Sequence, residues 1–333
     1  MSEDLTLIAS PAAREVPGVL DTDVAPPDRH LGASRATRLG RGVRTLWRDK
    51  VSFIGVCVLL VIVFAAIFAP IVAPHSQSEV DLTARLAPPA WSDGGSWDHI
   101  LGTDALGRDV LSRLIYGAQV SLAIGVVVVG VSMLIGTVLG LIAGYRGGRW
   151  DSLIMRVADA QLAFPGLLLI IAVVAVVGPS IRILVIVLAV YGWMLFGRLV
   201  RGNVLQLREE LYVRAATMSG AKAGRMMRRH FLPSLISPLL TQSMLDLARV
   251  VLAEASLSYL GLGVQPPSSS WGLMVAENQP YLDSAWWSVV FPGLALAITV
   301  LATNLVASWL RVQTDPQQRQ QVFAIRRRKK ARR

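Results

Sequence analysis

Six runs of roughly twenty apolar residues punctuate this chain, and each is long enough to cross the ~30 Å hydrocarbon layer of a bilayer as a helix. They are Val51–Ala73, Val120–Ala143, Ala158–Val177, Ile183–Val200, Ser234–Leu260 and Ser288–Leu310. In lipid every backbone N–H and C=O must be satisfied, which helices achieve within one segment and open sheets do not. Composition agrees: 53% of residues are hydrophobic, 17% are charged and mean hydropathy is +0.51, whereas soluble domains carry about a quarter charged residues. The expected fold is an all-α membrane protein with six transmembrane helices over residues 51–316. A largely disordered extension, 1–50, precedes it; this stretch contains Pro26–Pro27 and lacks apolar periodicity. A basic tail, 317–333, follows. No secretory signal is read, because the first apolar run is too long and begins too far in.

The loops carry the orientation. Net charge is +11, and 29 arginines outnumber 4 lysines. With residues 1–50 in the cytoplasm, the inside segments hold 28 Lys and Arg and the outside ones hold four, Arg85, Arg108, Arg113 and Arg182. Cytoplasmic loops carry the Lys/Arg excess, so both termini are expected inside a multi-pass plasma-membrane protein. Clustering at span ends, rather than on a soluble domain with aromatics, argues against nucleic-acid binding. The tail IRRRKKARR suits anionic lipid headgroups. Trp47, Trp150, Trp286, Trp287 and Trp309 lie near span ends, as belt residues do. The single cysteine, Cys57, lies in the first run and excludes an intrachain disulfide.

One loop stands apart. Residues 210–233, ELYVRAATMSGAKAGRMMRRHFLP, lie between the fourth and fifth runs, on the cytoplasmic side by the same count. A charged loop of this length must project into water. Ala215, Ala216, Ser219 and Gly220 are spaced to share one helix face made of small residues, which permits close approach of a partner.

The stretch resembles the EAA loop of ABC importer permeases: EAA, three residues, Gly, nine residues, Ile-x-Leu-Pro. Ala215, Ala216, Gly220, Leu232 and Pro233 stand in register, while Arg214 replaces the glutamate and His230 the isoleucine. Four further stretches, His99–Leu122, Gly140–Leu169, Glu254–Gly272 and Leu310–Pro316, are similar to the C-type subunit of the dipeptide/oligopeptide/nickel permease family, in family order. The resemblance implies the MetI-like permease fold with a cytoplasmic coupling helix. It assigns contact with the ATPase to Glu210, Tyr212, Arg214, Ala215, Ala216, Gly220, Ala221, Leu232 and Pro233. It also implies a B-type permease partner, two ABC ATPase subunits that bind ATP and Mg²⁺, and an extracytoplasmic peptide-binding protein. The function implied is peptide import by alternating access, with nickel or another small solute as the alternative cargo. Where the family usually carries Gly-Asp-Gly, this chain has Ala307, Ser308 and Trp309, a change expected to lengthen the last helix.

Other residues have readings of their own. Thr103 or Asp104 suits a helix N-cap, leading into an amphipathic helix at the outer surface or a salt-bridged elbow. Pro165 should kink the third span, and such breaks border transport pathways. Arg156 and Asp159 are spaced to pair. Asp246, Arg249 and Glu254 lie within the fifth span, where ionisable groups usually face a cavity or the bundle interior. Asp246 and Arg249 can neutralise each other. The same carboxylates would suit an ion-coupled secondary transporter, which leaves the small-residue loop unexplained. The chain contains no G-x-x-x-x-G-K-[ST] phosphate loop, so it is expected to carry no nucleotide cofactor. Histidines 30, 75, 99 and 230 show no metal-ligand spacing, and no constellation suggests catalysis.

Overall fold

The computed structural model describes residues 49–314. The expected disordered extension, Trp47 and the basic tail lie outside that range. Nine helices of eight residues or more fall within it: α1 (Lys50–Ile67), α2 (Val110–Arg146), α3 (Gly148–Leu162), α4 (Gly166–Val177), α5 (Ile181–Glu209), α6 (Leu211–Met218), α7 (Leu232–Tyr259), α8 (Trp271–Asn278) and α9 (Trp287–Thr314). No strand occurs among the described residues. Five helices are long and apolar enough to cross a membrane, and α3 with α4 forms a bent pair that makes six if the pair is counted as one broken span.

The crossings follow from side-chain contacts. Helices α2 and α5 run parallel: a Cβ on Gly136 would lie 2.4 Å from the Trp193 carbonyl oxygen, one on Gly140 2.6 Å from that of Gly197, and one on Gly144 2.8 Å from Val204 Cβ. Only glycine at this four-residue spacing lets the two backbones come so close. Parallel neighbours require the chain between them to return across the bundle. It does so along α5, where Asp151 meets Arg201 and Gln161 Nε2 donates to the Val190 carbonyl at 2.9 Å. Helix α7 runs antiparallel to α2: Ser243 reaches Met133, a Cβ on Gly125 would meet Leu247, and Ser121 reaches Glu254. The α2–α3 turn, the α5–α7 loop and the start of α1 thus share one end of the bundle, the loop end. Residues 73–109 and 260–286 share the other, the elbow end.

Two expectations change in detail and a third holds. The third span is broken at Ala163–Pro165, with its two helices 84° apart, rather than kinked. Proline has no N–H for the ladder, and here it stands as the N-cap of α4. The second span begins at Val110, capped by Asp109, whose Oδ2 accepts from Ser112 N–H at 2.7 Å. Neither Thr103 nor Asp104 caps it, and no separate surface helix forms. Helix α9 runs unbroken through Ala307–Trp309 to Thr314, as the missing Gly-Asp-Gly suggested.

At the elbow end the salt-bridged reading of Gly102–Arg113 holds. Asp104 Oδ2 accepts from Arg108 Nε at 2.7 Å and from Arg113 Nη1 at 2.5 Å, and Glu277 Oε2 accepts from Nη2 of both arginines at 2.8 and 2.7 Å. Gly107, at φ 74°, could carry no side chain, since a Cβ would lie 1.8 Å from the Asp81 carbonyl oxygen. Trp287 is buried and donates to the Thr103 carbonyl at 3.1 Å. It is a structural anchor, while Trp150 and Trp286 remain exposed as belt residues would.

Candidate functional site

The loop after α5 is a braced platform. Arg208 Nη1 donates to the Gly144 carbonyl at 3.0 Å, fixing the end of α5 to the end of α2. Glu210 then turns the chain into α6. Val213, Met226 and Phe231 are buried in the main core, and Phe231 packs on Tyr145 with ring centroids 5.8 Å apart. After Ala223–Met226 the helix widens into a π turn over Met227–Phe231 before α7 begins at Leu232. A wide turn suits this place, because Pro233 has no N–H to give the ladder.

The outward surface differs from an all-small face. Ala215 and Ser219 are exposed, but Ala216 and Ala221 are half-buried against the core. Helix α6 ends at Met218 with Ser219 as its C-cap, and Gly220 at φ 77° lies beyond it. Gly220 therefore ends the helix instead of completing its face; a Cβ there would meet nothing within 4 Å, and its left-handed backbone is what favours glycine. Large apolar side chains complete the surface: Met218 is 90% exposed, Leu211 83% and Tyr212 47%. Leu232 and Pro233 are exposed nearby, and Tyr212 stacks on His230. Arg214, in the glutamate's place, pairs with Glu209, both exposed. The buried anchors went unread in the sequence, although one apolar residue per turn in a basic loop was the available signal.

The fifth-span charges separate. Arg249 is exposed and lines a cavity of about 330 Å³ with Gly166, Leu167, Tyr191 and Ser256, beside the break at Pro165. Asp246 is buried behind it and pairs with Arg249, as the spacing suggested. Glu254 faces the opposite way, fully buried, accepting from Ser258 Oγ at 2.6 Å and Ser121 Oγ at 2.9 Å. It joins α2 to α7 and does not line the cavity. Asp159 is met by Arg198 of α5 rather than by Arg156. The scattered histidines also converge in part: His75 and His99 meet at Asp109.

A bent helix pair, a parallel glycine seam and a braced apolar platform at one end define a multi-span membrane protein. Comparison with known proteins makes this specific. Residues 136–320 match the family model "Binding-protein-dependent transport system inner membrane component", and residues 37–89 match "N-terminal TM domain of oligopeptide transport permease C". The chain belongs to this family of transport permeases. It is 44% identical over 262 residues to the di/tripeptide transport system permease protein DppC of Pseudomonas aeruginosa, covering 79% of this chain and 86% of the relative. To the dipeptide transport system permease protein DppC of Escherichia coli K12 it is 45% identical over 273 residues, 82% of this chain and 91% of the relative.

Proposed function

We propose that this chain is the C-type permease subunit of an ATP-driven importer that carries peptides across the plasma membrane by alternating access. The observation that carries the reading is its similarity, over most of its length, to permeases whose names specify di- and tripeptides. The subunit is non-catalytic. A B-type permease supplies the other half of the pathway, two ABC ATPases hold ATP and Mg²⁺ at the loop end, and a peptide-binding protein delivers cargo at the elbow end. The 28-to-4 charge split supports a cytoplasmic loop end, with both termini on that side.

The geometry suggests how force enters. Val213, Met226 and Phe231 pin the platform to the bundle, so motion at α6 passes to α5 and α7 as rigid displacement rather than bending. Met218, Leu211, Tyr212 and Ala215 form the ATPase contact, Ala216 and Ala221 support it from behind, and Gly220 with Leu232 and Pro233 sets its edge. Burying a side chain such as Met218 stabilises docking by roughly 1.5–3 kcal/mol. A ligand-driven change needs this differential contact in the two ATPase states. Arg249, held by Asp246 beside the Pro165 break, faces the pathway; Glu254 serves the scaffold.

The assembled complex in vesicles tests the reading. With its binding protein outside, a labelled dipeptide should accumulate only when ATP is present on the ATPase side. Accumulation driven by an ion gradient without ATPase subunits would overturn it, as would ATP-dependent uptake of nickel ions with no uptake of peptide.

A further inference from the structure

Three side chains from separate segments converge at the elbow end, apart from everything the transport reading uses. His75 follows the first span, His99 precedes Gly102, and Asp109 caps α2. One ligating atom from each lies within 4.8 Å of the others. His99 Nδ1 is 3.1 Å from Asp109 Oδ1, His75 Nδ1 is 3.9 Å from Asp109 Oδ2, and the imidazole centroids are 5.0 Å apart. The frame is held from beneath: His75 N–H donates to Ser112 Oγ at 2.9 Å, and Ser112 N–H to Asp109 Oδ2 at 2.7 Å. His75 Nδ1 is itself buried without a hydrogen-bond partner among the described residues. An imidazole nitrogen left in that state is costly, and it faces a carboxylate and a second imidazole.

We propose that His75, His99 and Asp109 bind one divalent transition-metal ion of the zinc class. Two imidazole nitrogens and one carboxylate oxygen form the donor set zinc accepts, at about 2.0–2.2 Å per bond; calcium and magnesium favour oxygen shells. Tetrahedral bonds of that length put ligand atoms about 3.4 Å apart, so His99 and Asp109 are already near the required spacing and His75 must move in on binding. His75 supplies the movement, its side chain being 30% exposed. Three protein ligands leave a fourth position for water. The ion would tie the exit of the first span, the outer loop and the start of α2 into one unit, bracing the elbow end independently of the Asp104–Arg113–Glu277 network.

The test uses the full chain in its complex, purified by a tag without histidines and stripped with a chelator. Zinc is titrated in competition with a chromophoric indicator. The double variant His75→Ala/His99→Ala should bind one equivalent less than wild type, and His230→Ala should bind as wild type does. Cobalt(II) should give wild type a visible absorption band that the double variant lacks. Equal zinc stoichiometry in wild type and the double variant would overturn the site. Should the double variant fail to assemble, His75→Gln decides: zinc raises the Tm of wild type but not of this variant. A Tm unmoved by zinc in wild type, or raised equally in both, counts against the proposal.

Discussion

The two ends of the bundle differ in how they hold their charged groups and in what their braced elements expose. At the elbow end charges are buried and answered from within the chain: Arg113 is 2% exposed yet meets both Asp104 and Glu277. At the loop end Met218 and Leu211 extend into solvent, uncovered by any of the described residues. A buried, reciprocated network fixes a shape, whereas exposed large apolar side chains on a braced platform mark a surface completed by another molecule. The elbow end holds its charged groups within the chain, and the loop end is where the proposed ATPase contact lies.

The contrast can be broken most directly at Arg113. Arg113→Ala removes the more buried of the two guanidiniums that Asp104 and Glu277 share, leaving Arg108 alone to answer both carboxylates, and breaking a buried pair costs up to about 3–5 kcal/mol. We predict a large fall in Tm of the purified complex and poor accumulation in membranes. A Tm within a degree or two of wild type would mean that the elbow is not self-sustaining.

Gly136→Ala is expected next in size. Its Cβ would fall 2.4 Å from the Trp193 carbonyl oxygen and 2.5 Å from Phe196 Cβ, and overpacking costs about 1–3 kcal/mol. The α2–α5 seam should open and Tm should drop. Gly130→Ala on the same helix, where a Cβ meets nothing within 4 Å, should leave Tm unchanged; equal effects would remove the seam from the argument.

At the loop end the expected loss is of partnership rather than stability. Met218→Asp should weaken co-purification of the ATPase subunits and uncouple ATP hydrolysis from uptake, while the chain's own Tm stays put. The lost apolar contact is worth roughly 1.5–3 kcal/mol if fully buried on docking. Unchanged assembly and coupling would show that α6 is not the transmission element. Ala215→Trp, on the exposed side, should act similarly, whereas Ala216→Trp would also disturb the core it packs against.

The smallest effect belongs to Arg214→Glu. It replaces an exposed pair with Glu209 by an exposed repulsion, a change of about 0–1 kcal/mol. Coupling should survive, and a loss as deep as that of Met218→Asp would make charge, not apolar contact, the basis of docking. Sidedness is checked with single cysteines: Ser284→Cys should react with an impermeant reagent from outside, and Ser219→Cys only after permeabilisation. Both positions are exposed.

Hydropathy was enough to indicate that this chain is helical and carries five or six candidate membrane spans, and charge gave the expectation that the Glu210–Pro233 loop shares a side of the membrane with the termini. These properties are local or additive: twenty apolar residues make a span whatever they touch, and arginines sum loop by loop. The Asp246–Arg249 pair was legible because i and i+3 share a helix face, although the equally spaced Arg156 and Asp159 did not pair, Asp159 being met by Arg198 from another helix. Only the tertiary structure decided which neighbours answer which groups. Glu254 looked like a pathway residue until Ser121, 133 positions away in sequence, proved to hold it inside the scaffold. Ala216 looked outward until the bundle covered it. His75 and His99 had no ligand spacing until two loops folded back on the cap of α2. Periodicity reports the face a residue occupies, but what fills the space opposite that face is set by chain segments far removed in sequence.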